Sequence, residues 1–317
     1  MQNLVFNGND YVLPNITIGC ESLGGTDWGD KDIDEISKTL IYASEKGYNC
    51  FDTADVYGLG LSEKRLNTIF GKKLRDNFII SKFGVRWKQL NKNQRAKTYI
   101  DLSLSYLHEA LNNSLKRLEL DAIPLYLIHW PNTDYLLDDI LNALENYKQQ
   151  GKILNYGICN FSLDHIKNAD ISNISAVCNS FSMINSTENL DILKYAERKK
   201  IQRLIYGTFG QGILAKKHDK NKLFGNNDRR SRLTHFKNQK NKSQTSLINK
   251  IEEISINMGV SMAQVTHKWT QNKKISDSTI LGVSNIRQLK DIILADDFDL
   301  EPNDLKILDE LTDYYRN

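Results

Sequence analysis

The sequence predicts an α/β protein of the closed (β/α)8 class, a TIM barrel with its active site at the C-terminal ends of the strands. Three observations carry this. Short apolar runs alternate with longer amphipathic segments, in a rhythm of about 25 to 45 residues per unit. Eight such runs can be found in 317 residues. No GxGxxG turn follows the first of them, which argues against a doubly wound open sheet. Residues 1–317 therefore read as a single barrel domain.

The runs, in order, are ITIGC (16 to 20), YNCFDT (48 to 53), NFIISKF (77 to 83), LYLIHW (125 to 130), YGICN (156 to 160), SAVCNS (175 to 180), RLIYG (203 to 207) and STILGV (278 to 283). Each is nearly all apolar until its last residue or two, the mark of a strand covered on both faces with polar groups at its carboxyl end. Between them, DIDEISKTLIYASEKG spaces Ile33, Ile36, Leu40, Ile41 and Ala43 as a helical stripe and stops at Gly47. SLSYLHEALNNSLKRLEL, LDDILNALENYKQQG and STENLDILKYAERKK carry similar signals. One segment breaks the rhythm. Residues 215 to 245 are polar and basic, and they read as a long loop after the seventh strand. Two readings of it stand: a solvated insertion, or a lid over a bound anion in which Arg229, Arg230 and Arg232 meet phosphate.

Composition narrows the class. A hydrophobic fraction of 40% and a charged fraction of 26% are ordinary for a globular chain, and a net charge of +3 points to neither nucleic acid nor a membrane surface. Cys20, Cys50, Cys159 and Cys178 lack metal-site spacing, so neither zinc nor a disulfide framework is expected. Without a leader-like start or an apolar span, the expected location is the cytoplasm.

Four polar residues close these runs or follow them: Asp52 in NCFDTADVYG, Tyr57 five positions later, Lys82 in FIISKFG and His129 in LYLIHWP. A phenol near its ordinary pKa of about 10 is a poor acid and a poor base at neutral pH. A lysine ammonium beside it is expected to lower that pKa, an aspartate to keep the lysine charged and aimed, and a histidine to orient a substrate oxygen. Alone, Asp52 reads as a strand-end cap, Tyr57 as a packed ring and His129 as a core histidine. Their position at successive strand ends turns the set into candidate machinery for reducing a carbonyl, with no metal required. His108 and His165 read as structural or exposed. Trp28, Trp87 and Trp130 follow strands one, three and four, either as rim packing or as an aromatic wall around a substrate.

At these residues the chain resembles the aldo-keto reductases, from about residue 15 to residue 300, with six motifs in order. FDTADVYGLGLSE, SKFG and LIHWP resemble the family's tyrosine, lysine and histidine segments, and GICNFS, IYGTFGQGIL and TILGVSNIRQL its cofactor segments. GLSE and the DRR-containing loop are most similar to the bacterial and plant aldose reductase-like branch. The resemblance implies NADP(H) or NAD(H) bound in an extended pose without a Rossmann fold, and hydride passing to an aldehyde, ketone or sugar carbonyl while Tyr57 protonates its oxygen. It implies that Asn160 holds the nicotinamide carboxamide and that Tyr206 stacks on the ring. It assigns Gly207, Gly210, Gln211, Gly282, Ser284, Gln288 and Asp291 to the rest of the cofactor.

There are departures. Cys159 stands where the family has serine, and Cys178 where it has a glutamine that grips the carboxamide. Ser284 replaces the Lys or Arg of NADP-dependent members, and Ile292 the asparagine near adenine. Arg287 or the loop arginines are the expected substitutes for the missing cation, which leaves NADPH against NADH open. Two other functional readings accompany the reductase: an NAD-dependent sugar or polyol dehydrogenase, and a nucleotide-sensing subunit resembling the family's channel β subunits.

Overall fold

The computed structural model describes residues 4–88, 96–216, 224–237 and 242–316. Within them, eight parallel strands close a barrel: Ile16–Gly19, Cys50–Asp52, Phe78–Phe83, Ile123–Ile128, Ile153–Cys159, Ala176–Ser180, Gln202–Tyr206 and Ser278–Gly282. Each strand pairs with the next in sequence, and Ser278–Gly282 returns to pair with Ile16–Gly19. Every expected run became a strand. The reason is burial on both faces: Phe78–Phe83 and Ile123–Ile128 are buried along their whole length.

Side chains alternate between two cores. Cys50, Phe78, Ile80, Leu125, Leu127 and Leu204 fill the barrel interior, whereas Phe51, Ile79, Tyr126 and Ile128 pack outward beneath the helices. Outside, Ile33–Glu45 is capped by Asp32, whose carboxylate accepts from Glu35 N–H, and it buries Ile36, Leu40 and Ala43. Ile41, counted in the same stripe, is instead exposed, because it lies one position past the inward face. Leu104–Leu118, Leu137–Gln149 and Leu190–Arg198 occupy the other expected helical segments.

Two small sheets were not expected. Leu4–Phe6 pairs antiparallel with Asn9–Tyr11, and this hairpin covers the amino-terminal end of the barrel. Asn155 fastens it, accepting from Val5 N–H at 3.0 Å and donating to Val5 O and Pro124 O, both at 2.8 Å. Val85–Lys88 and Lys97–Ile100 form a ribbon after the third strand.

The segment read as a long loop is different from that expectation. A helix, Lys242–Met258, begins inside it, and residues 217–223 and 238–241 lie outside the described residues. Between those stretches, residues 227–232 form a strap that reaches the loop after the first strand. Gly29 N–H donates to Asn227 O at 3.1 Å, Arg229 N–H donates to Asp27 O at 2.9 Å, and Trp28 and Asp228 share an antiparallel bridge. Among the described residues, no helix is long and apolar enough to cross a membrane.

Candidate active site

Strand parity delivers the four expected residues to one end of the barrel. Asp52 ends the second strand, Lys82 is the inward residue next to the end of the third, and His129 follows the fourth. Tyr57 rides on the turn after the second strand. That turn is pinned by a backbone approach: a Cβ on Gly58 would stand 2.2 Å from Gly24 O, so only glycine allows the two loops to touch.

Lys82 Nζ donates to Asp52 Oδ2 at 2.5 Å, to Thr53 O at 2.9 Å and to the Tyr57 hydroxyl at 3.4 Å. Three partners for three N–H bonds satisfy the ammonium, which is almost wholly buried. Removal from water is the largest influence and opposes its charge, but the charge and hydrogen bond of Asp52, with Cys159 and Cys178, together hold Lys82 above its ordinary range. Asp52 is pushed up by burial while Lys82 pulls it back. The two form a buried salt bridge that carries no net charge.

This corrects the expectation for Tyr57. Its phenol is not depressed; burial, followed by the nearby Asp52 and Glu21 carboxylates, holds it well above the usual value. Asp52, salt-bridged to Lys82, opposes the ammonium's pull on the phenol. His129 stands edge-on to the Tyr57 ring, with centroids 5.8 Å apart. Burial, then the charges of Lys82 and Arg229, keep its imidazole well below its ordinary range, so the ring is neutral. Its Nδ1 is buried and makes no hydrogen bond. The arrangement thus offers a protonated phenol, a fixed cation behind it and a neutral ring nitrogen beside it.

Asn160 adopts a left-handed backbone (φ 65°), donates to His129 O at 2.9 Å and accepts from the Tyr206 hydroxyl at 2.5 Å. Cys159 and Cys178 face each other across paired strands. A hydrogen bond with the Cys159 thiol, then burial, hold the Cys178 thiol well above its ordinary value, so this wall of the site is neutral. Beyond Tyr206 lies a groove of about 420 Å³ lined by Ser180, Asn185, Gly207, Gly210, Gln211 and His235. Buried His235 Nε2 makes no hydrogen bond there. A polar, glycine-edged groove beside an anchored aromatic ring fits the flat ring and phosphates of a dinucleotide.

At the eighth strand, Gly282 is open, and Ser284 N–H donates to Gln288 Oε1 at 2.9 Å. Asp291 is turned elsewhere and accepts from Ser261 Oγ at 2.7 Å, while Ile292 is buried in the outer core. Of the expected cationic substitutes, Arg287 is exposed on the helix Ile286–Ile293 that follows Ser284. Arg229 pairs with Glu21, Arg230 with Asp228, and Arg232 with Asp27 at 2.8 Å, so the loop arginines meet carboxylates of the protein itself. The cation beside Ser284 is Lys31, whose Nζ donates to Ser284 Oγ at 3.4 Å. Burial, then nearby Arg230, push the Lys31 ammonium down. No sequence signal marks Lys31, because the contact joins residues 253 apart.

The tryptophans separate. Trp28 lies under the Arg229 guanidinium, 4.9 Å from it. Trp87 lies on the ribbon and lines a second cleft with Arg86, Tyr106 and Arg117, and Trp130 is exposed. Among the described residues no cluster of His, Cys, Asp or Glu could hold a metal.

Residues 15–313 match the family model of the aldo/keto reductase family. The chain belongs to this family. Its aldo/keto reductase relatives include YhdN of Bacillus subtilis, 27% identical over 87% of this chain and 82% of that protein. The NADH-specific methylglyoxal reductase of Escherichia coli is 26% identical, over 68% of this chain and 69% of its own length. In fold, the chain is similar to the glycerol dehydrogenase AKR11B4 of Gluconobacter oxydans, with a TM-score of 0.84 and 24% identity, covering 99% of this chain and 95% of that one. Membership makes this aldo/keto reductase an oxidoreductase of carbonyl chemistry, in a family that uses nicotinamide cofactors.

Replacing Asp52 by Asn leaves a buried ammonium without its counter-charge. We expect Asp52→Asn to lower the unfolding free energy by about 3 kcal/mol, against less than about 1 kcal/mol for Tyr57→Phe; urea denaturation of both variants tests this, and equal losses would contradict it.

Proposed function

We propose that the protein reduces an aldehyde, ketone or sugar carbonyl to the alcohol, reversibly, with Tyr57 as the general acid or base. The observation that carries this reading is the hydrogen-bonded row Asp52–Lys82–Tyr57 with neutral His129 against the phenol. The groove beyond Tyr206 and the Asn160 side chain would hold a nicotinamide cofactor, which when bound would supply the hydride. As negative charge develops on the carbonyl oxygen, Tyr57 releases its proton toward it, and Lys82 stabilises the resulting phenolate. Asp52 keeps Lys82 charged and aimed, acting as a positioning residue. His129 directs a substrate oxygen toward the phenol without adding positive charge.

The raised phenol makes the acid form, the one that donates a proton to a developing alkoxide, the resting form of Tyr57. Lys31 beside Ser284 supports NADPH, because a 2′-phosphate at Ser284 would meet an ammonium.

Three outcomes test this. Tyr57→Phe should bind cofactor as the native protein does, by fluorescence titration, yet lose at least about a hundredfold in kcat; comparable turnover would overturn the mechanism. With the phenol held up and His129 held down, kcat/KM for reduction should stay flat from about pH 6 to about pH 9, and a break near neutrality would contradict the protonation states given. Lys31→Ala should weaken NADPH by about tenfold while leaving NADH nearly unchanged; equal effects on both cofactors would remove Lys31 from the phosphate site.

A further inference from the structure

The barrel mouth holds a charged pair that proton transfer does not use. Along the first strand Thr17 faces the interior, where its hydroxyl meets Cys50 Sγ at 3.3 Å and Ser278 Oγ at 2.8 Å. Gly19, two residues on, pairs with Asp52. Cys20 N–H continues the ladder to Asp52 O at 2.8 Å, and the chain then turns at Glu21, whose backbone is helical (φ −60°, ψ −42°), so that Glu21 stands at the rim close to Tyr57. From the strap above, Arg229 donates to both Glu21 carboxylate oxygens, one at 3.2 Å, and lies 3.7 Å from Asp27 Oδ2. Both side chains are mostly covered, with exposures of 30% and 28%. Burial raises the Glu21 carboxyl above its ordinary range, and the charges of Glu21 and Arg229 are both felt at Tyr57.

We propose that Glu21 and Arg229 are the specificity-determining residues of this site, selecting small uncharged carbonyl compounds with hydroxyl groups near the carbonyl: hydroxyaldehydes, hydroxyketones and short sugars. The proposal rests on the carbonyl-reductase reading above and names its substrate class. An apolar aldehyde would cover a partly buried ion pair with hydrocarbon and replace none of the water it displaces. An anionic substrate would seek Arg229 but would meet the negative charges of Glu21 and Asp27 beside it. A hydroxyl is donor and acceptor at once, so neighbouring hydroxyls give Glu21 hydrogen bonds and take them from Arg229 without bringing in net charge. The reacting carbonyl stays with Tyr57 and His129.

The test compares kcat/KM for glyceraldehyde, propanal and succinic semialdehyde in the native protein, Glu21→Ala and Arg229→Met, with NADPH titration and thermal midpoints as controls on folding. The native protein should prefer glyceraldehyde to propanal by at least about tenfold, and each variant should lose most of that ratio, chiefly through KM. Glu21→Gln, which keeps an acceptor oxygen, should retain more of the preference than Glu21→Ala. An unchanged ratio in cofactor-binding variants would overturn the proposal. So would a native preference for succinic semialdehyde, which would make Arg229 an anion receptor. Equal use of propanal and glyceraldehyde, abolished by Tyr57→Phe, would sink the specificity alone; turnover of none of the three would overturn the carbonyl-reductase reading with it.

Discussion

The catalytic end is organised around one buried ammonium. Lys82 is almost fully removed from water, which is tolerable only because Asp52, Thr53 O and Tyr57 take its three N–H bonds. That requirement fixes the ends of the second and third strands relative to each other and draws the phenol to the cation. Asp52 and Lys82 come from neighbouring strands of a closed barrel, so no hinge lies between them. The rest of the site is arranged at the edge of this neutral pair.

Neutrality has a price in acidity. A lysine shared with a carboxylate is a weak source of positive potential, and burial therefore decides the resting state of Tyr57. In the proposed reaction the ammonium would matter most after the proton has left, when its 3.4 Å hydrogen bond to the phenol would become a charge-assisted bond to a phenolate. Stabilisation reserved for the charged state is the kind that lowers a barrier instead of tightening ground-state binding.

What the sequence shows depends on the range of the interaction. The strands were legible because burial on both faces leaves unbroken apolar runs, and Asp52, Lys82 and His129 because each stands at the carboxyl end of such a run, with Tyr57 on the glycine-flanked turn beyond Asp52. The N-terminal hairpin was not, since three-residue strands leave no periodicity to read. Direction of titration was not, because Asp52 predicts a charged lysine but says nothing of how dry the phenol is. The strap was hidden in a basic stretch: Arg229 meets Glu21 across 208 residues of sequence, and three arginines suited to phosphate are taken by carboxylates of the same chain.

The contact between Gly24 and Gly58 divides the rim into two kinds of territory. A Cβ on Gly24 would stand 2.6 Å from Gly58 N, and one on Gly58 would strike Gly24 O, so neither position can change alone without moving the tyrosine turn. Three residues before Gly24, Glu21 carries no such restriction, and Arg229 arrives on a separate strap. On the proposed reading, residues at these two places can be exchanged, and substrates with them, while the tyrosine turn stays where it is. Diversification and chemistry are inherited on different parts of the same opening.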